Sequence, residues 1–201
     1  MKNNGRPVGS GKGSARPLSK REIRTLYGAC IGRNGLRNQA IITLQLHAGM
    51  RVGEVFGLTV GQVLDKNGKV KNRIIISGRN MKGKKSHSYF LSNQGQEIIA
   101  EYLKSISTED NNAPLFRSPK GSGFISANSG AQLVRNLIIK AGIDDASSHS
   151  LRASFARLLL DRGVGIETIS QALAHKNIST TIIYLGDIAP RTENAVMDIS
   201  F

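Results

Sequence analysis

One segment breaks an otherwise helical chain and limits what it can fold into. Val70 to Ile76 is rich in β-branched residues, and Ser88 to Leu91 offers a return strand. Such residues fit a pleated, half-buried surface better than a helix. Between the two runs lies Ser77-Gly78-Arg79-Asn80-Met81-Lys82-Gly83-Lys84-Lys85, a basic turn punctuated by glycine. A single hairpin makes only a small sheet, so most of the core has to come from helices.

The rest of the chain supplies them. Ser19-Lys20-Arg21-Glu22 is a capping box, and Ile23, Leu26 and Tyr27 give the helix it opens an apolar stripe. A second helix is expected over 36–48, ended by Gly49, with a short one from about Arg51 to Leu58. After the hairpin, helical spacing covers 93–105, 127–141, 149–162 and 166–173, followed by a short turn around 180–185. Gly142 and Gly163 stand where helices close through a left-handed residue. The expected fold is mainly α with a small antiparallel β-sheet, an α+β domain. Residues 18–190 show no repeat and no internal boundary. They are preceded by a flexible basic arm, 1–17, rich in Gly, Ser, Lys and Arg and without an acid.

Charge points to the partner. Lys and Arg number 28 against 14 Asp and Glu, a net +14 with pI near 10.3. That excess costs self-repulsion, which a polyanion relieves; nucleic acid is the natural one, since neutralised phosphates release counterions. A solubility device or an anionic membrane surface also fits the charge taken alone. No apolar run approaches the roughly 18 residues that span a bilayer. The N-terminus lacks the apolar core of a signal peptide. The lone Cys30 cannot form an intramolecular disulfide, and no Cys/His cluster has metal-ligand spacing. A soluble, cytoplasmic protein is expected, without membrane, metal or cofactor.

Three short motifs carry candidate chemistry. In Ser148-His149-Ser150-Leu151-Arg152 an imidazole and a guanidinium stand three apart, on one helix face. They satisfy each other poorly, so a shared anion explains the pair, as does a solvated helix face. In the stretch from Leu173 to Tyr184, His175 ends one helix and Tyr184 lies on the next, after a Ser/Thr-rich connection. Tyr184 by itself also reads as a packing residue. In Ala48-Gly49-Met50-Arg51-Val52-Gly53-Glu54, Arg51 follows a glycine turn with Glu54 three residues on, a pattern a surface ion pair would also produce.

Taken in order, these motifs and the basic hairpin resemble the tyrosine recombinase (phage integrase) catalytic domain over about residues 18–188. The resemblance implies a catalytic set of Arg51, Lys82, His149, Arg152, His175 and the nucleophile Tyr184, with Glu54 supporting. It implies a site-specific recombinase acting on double-stranded DNA through a 3′-phosphotyrosine intermediate and a Holliday junction. The working form would be a homo-oligomer, a tetramer on two sites, with an accessory DNA-bending or directionality protein as a further partner. Its place would be the cytoplasm, on the nucleoid. Two departures stand out. Most relatives carry a separate DNA-clamping domain ahead of this one, which small invertase-type members lack, and Ala174 replaces the glycine common before the second histidine. DNA-backbone contacts are expected from Lys2, Arg6, Lys12 and Arg16 of the arm and from Arg79, Lys84 and Lys85 of the hairpin. The tail, about 186–201, carries Ile188, Val196, Met197, Ile199 and Phe201, and either docks on a neighbouring subunit or packs on its own domain.

The chemistry suits those residue types. Metal-free phosphodiester cleavage needs fixed cations around the developing phosphorane charge. Two arginines offer forked donors that never lose their charge, whereas a lysine can pass a proton to the leaving 5′ oxygen. A free tyrosine titrates at about 10, so its phenolate needs nearby cations and a hydrogen-bonding base. A type IB topoisomerase would use a similar site, and a binding-only descendant would need none of it.

Overall fold

The computed structural model describes residues 15–77, 86–106, 110–119, 121 and 123–185, with the Tyr184 side chain excepted. The order is α1 (Lys20–Gly28), α2 (Gly35–Ala48), α3 (Val52–Phe56), α4 (Val60–Val63), β1 (Arg73–Ile76), β2 (His87–Phe90), α5 (Asn93–Lys104), α6 (Ala127–Lys140), α7 (Ser148–Asp161), α8 (Ile166–Ala172) and α9 (Ile178–Leu185). β1 and β2 form one antiparallel pair, with Ile74 opposite Tyr89 on the buried face. The mainly α fold with a small sheet is as expected. Among the described residues no helix is long and apolar enough to cross a membrane.

Local chemistry explains the boundaries. Ser19 caps α1, its hydroxyl accepting from the Glu22 amide while Glu22 accepts from the Ser19 amide, a reciprocal capping box. Gly49 closes α2 in the left-handed region, at φ 67°. Two elements differ from expectation. The segment before the hairpin contains a short helix, α4, because the Gln62 side chain turns back to accept from the Thr59 amide. The turn expected near 180–185 is part of a helix starting at Ile178.

α2 is the central element. Ile41, Ile42, Leu44 and, on the same helix, the polar Thr43 and Gln45 are fully buried, which is why this helix shows no clean apolar stripe. It packs against α5 and α7, and Leu26, Phe56, Leu58, Leu115 and Phe116 complete the main core. A smaller apolar cluster, Phe155, Ala156, Ile169, Leu173 and Leu185, joins α7, α8 and α9. The C-terminal ends of α2 and α8 and the start of α7 converge between these two cores, where the motif residues lie.

Candidate active site

Arg51 is the residue that starts α3. Glu54, one turn later, accepts from the Arg51 amide at 2.8 Å and from its Nη1 at 3.2 Å. The helix-surface ion pair is therefore real, but the guanidinium also donates through Nη2 to the Ala174 carbonyl at 2.9 Å. That second contact reaches across 123 positions of sequence and ties Arg51 to the α8–α9 turn. Its side chain keeps 43% of its surface exposed, so the charge faces outward.

Arg152 is buried, with 2% of its surface exposed. It donates through Nη1 to the Gly49 carbonyl and through Nη2 to the Leu173 carbonyl. Burying a guanidinium without partners would be prohibitive. Here two backbone acceptors from two different helix ends hold it. The two arginines thus bond neighbouring carbonyls, Leu173 and Ala174, on the same turn. Ala174 adopts φ 49°, a left-handed conformation unusual for a residue with a Cβ. This explains why glycine would suit that position.

His149 lies on α7 one turn before Arg152, its amide donating to the capping Ser147 hydroxyl at 3.2 Å. Burial, then the charges of Arg152 and Arg51, push its imidazole below the usual range. The same causes, in the same order, lower His175 to about 4. Its Nδ1 lies 2.8 Å from Thr181 Oγ1 on α9. The two arginines therefore act on both imidazoles, placing all four groups in one electrostatic field. Both shifts favour the uncharged imidazole, leaving the positive charge to the guanidiniums. Neutral imidazoles can accept or donate a proton at such a site.

Sequence reasoning missed Tyr89. Strand alternation marks it as a core residue, and its ring is fully buried, yet its hydroxyl donates to Glu54 Oε2 at 2.7 Å. Burial and the adjacent Glu54 carboxylate drive its pKa upward. Tyr89 thus holds Glu54, which in turn holds Arg51. Only the choice of tyrosine over a plain hydrophobe at a buried strand position could have signalled this. Gly49 was readable as a helix end but not as an acceptor for Arg152.

Arg16 has partners within the fold that its place in the arm did not announce. It was grouped with the phosphate-contacting residues of an arm that holds no acid of its own. Its guanidinium forms a fork on Glu22, at 2.7 and 3.2 Å, and donates to the Asp144 carbonyl at 2.6 Å. Paired with Arg16, Glu22 titrates at about 2. Leu18, the first residue after the arm, is buried nearby, its amide bonded to Ser154 Oγ. Lys2, Arg6, Lys12, Arg79, Lys82, Lys84 and Lys85 lie outside the described residues. So do the tail beyond Leu185 and the Tyr184 side chain, although the Tyr184 backbone belongs to α9. Among the described residues no group of three or more His, Cys, Asp or Glu is placed to hold a metal ion.

Comparison with known proteins places this geometry. The chain is 31% identical over 155 residues to tyrosine recombinase XerC of Lactobacillus delbrueckii subsp. bulgaricus, covering 74% of this chain and 50% of that protein. It is 33% identical over 179 residues to tyrosine recombinase XerD of Rickettsia conorii, covering 83% of this chain and 58% of that one. It thus spans little more than half the length of these relatives. The crystal structure of XerA recombinase superposes with a TM-score of 0.74 at 28% identity, over 92% of this chain and 66% of that one. The structure of XerH site-specific recombinase bound to its difH substrate, at 24% identity and a TM-score of 0.68, shares the fold over 92% of this chain and 55% of that one. The phage integrase family pattern itself matches residues 16–188, from Arg16 to just past Tyr184, and the chain belongs to that family.

Proposed function

We propose that the chain is the catalytic domain of a site-specific DNA recombinase that breaks and rejoins strands through a tyrosine–phosphate bond. The observation that carries this reading is the pair of guanidiniums, Arg51 and Arg152, anchored on the successive carbonyls of Ala174 and Leu173. Fixed in this way, the exposed Arg51 can meet a phosphate while the buried Arg152 adds its charge from behind, and such preorganised charge is how a transition state is stabilised. The turn they hold leads directly into α9, the helix of Tyr184.

The other tyrosines support the assignment of Tyr184 as nucleophile. The chain has 4 tyrosines. Tyr27 bonds Thr43 Oγ1 at 2.8 Å, and burial raises it to about 12. Tyr89 donates to Glu54 and Tyr102 to the Leu115 carbonyl, and both are shifted upward by burial. Each is a poor source of phenolate. In the proposed step the Tyr184 oxygen attacks phosphorus and loses its proton, with His149 or His175 positioned by type to take it. The bond from phosphorus to the 5′ oxygen breaks, and Lys82 gives that oxygen a proton. The reverse attack by a 5′ hydroxyl restores the phosphodiester and frees the tyrosine, so joining requires no nucleotide.

Lys2, Arg6, Lys12, Arg79, Lys84 and Lys85 would hold the backbone of duplex DNA. The working assembly would be a tetramer on two sites in the cytoplasm. Ile178, Ile182 and Ile183 lie exposed along α9 and would form part of a subunit contact. Incubation with a nicked suicide duplex tests the reading. The wild-type chain should form a covalent adduct, and Tyr184→Phe should bind equally but form none. An adduct with Tyr184→Phe would overturn the assignment.

A further inference from the structure

The far end of α2 carries a second concentration of positive charge. A cavity of about 440 Å³ opens beside the first turn of that helix, lined by Arg33, Arg37 and Arg117 together with Tyr102, Ser105 and Leu115. A wider depression of about 670 Å³ shares Arg33 and Asn34 with it and adds Lys140. Among the described residues neither lining contains an aspartate or glutamate. Among the described residues none of the three arginines forms an ion pair; Arg37 bonds only the neighbouring Asn38 amide oxygen. Arg37 is nevertheless half-buried, and burial lowers its pKa. Arg33 and Arg117 are exposed at the rim. A partly desolvated guanidinium among like charges is unfavourable until an anion arrives, and the planar fork of arginine matches phosphate oxygens.

We infer that Arg33, Arg37 and Arg117 form a second binding site for backbone phosphates of duplex DNA, apart from the phosphate that is cut. This rests on the reading of the chain as a DNA-binding recombinase. Arg37 and Arg51 stand at opposite ends of α2, so at 1.5 Å per residue the two sites are roughly 20 Å apart. The site grips the flank and reads no base, so it adds affinity and fixes register.

The test is binding of the full chain to a 20-base-pair duplex of arbitrary sequence, measured by fluorescence anisotropy over a range of salt. Each lost phosphate contact lowers the slope of log K against log salt by about 0.9. Arg33→Gln with Arg117→Gln should flatten the slope by up to about 1.8, and adding Arg37→Gln by up to about 2.7. Both rim side chains are exposed, so this pair keeps the test valid if the triple variant melts early. Arg33→Lys with Arg117→Lys should restore most of the slope, since point charges still release counterions. If the wild-type chain binds with a steep slope and the glutamine variants match it, the second site is wrong while the recombinase reading stands. Such a result would leave the patch to an acidic protein segment. If the wild-type chain does not bind duplex DNA, both fall together.

Discussion

Adding one methyl group at Gly49 should damage the site more than its size suggests. The residue sits at φ 67°, where an L side chain costs about 1–2 kcal/mol. A Cβ there would stand 2.5 Å from Phe155 Cδ1 and 3.1 Å from Leu173 Cδ2, and relieving such overpacking typically costs about 1–3 kcal/mol. The stiffer unfolded chain returns about 0.4–1 kcal/mol. Gly49→Ala should therefore cost about 3 kcal/mol, a fall in Tm of about 6–12 °C for a domain of this size. Gly142→Ala is the control: it has φ 66° but nothing within 4 Å of the added Cβ. It should lose only about 1 kcal/mol. The Gly49 carbonyl also accepts from Arg152, and Phe155 and Leu173 border the same turn. Capture on a suicide duplex well below either Tm should therefore slow about 100-fold for Gly49→Ala, the scale of a 1 Å misplacement, and remain unchanged for Gly142→Ala. Equal Tm shifts in the two variants would refute the steric argument. Wild-type capture by Gly49→Ala would refute the role of its carbonyl.

Tyr89→Phe should slow strand cleavage about 10-fold by releasing Glu54, while Glu54→Gln combined with it should slow the reaction little further; additive losses would show that the two residues act separately. Ala174→Gly should raise stability by about 0.5–1 kcal/mol, read as Tm, because it removes left-handed strain at φ 49°; a lower Tm would contradict this. Arg152→Ala should cost about 3 kcal/mol or more of stability by leaving two carbonyls without their donor, whereas Arg51→Ala should cost less than about 1 kcal/mol. Both should lose roughly 100–1000-fold in cleavage, so equal Tm values for the two variants would contradict the burial difference. His175 has a depressed pKa, so the stability it contributes is present above about pH 6.5 and is lost as pH falls through about 4. An NMR titration should show that low midpoint in the free protein and a rise when duplex phosphate arrives; a free-state midpoint at 6.5 or above would contradict the field ascribed to Arg51 and Arg152.

Much of this arrangement was readable from local chemistry. Ser19 and Glu22 announce α1, Gly49 announces the end of α2, and the β-branched run announces the hairpin, because each acts over a single turn or strand. The candidate site was legible as an ordered set of residue types whose chemistry matches one reaction. Its wiring was not. The bond from Tyr89 to Glu54 spans 35 positions, and that from Arg152 to Gly49 spans 103. No periodicity encodes such contacts. The bond from Arg16 to the Asp144 carbonyl, 128 positions away, was equally unreadable. α4 was missed because a helix of 4 residues, held by one side-chain turn, leaves no periodic trace.

The most direct test is to identify the residue that bears the DNA. Wild-type protein trapped on a nicked suicide duplex, digested and sequenced by mass spectrometry, should carry the nucleotide on the peptide containing Tyr184. Attachment at Tyr27, Tyr89 or Tyr102, or at a residue other than tyrosine, would contradict the account.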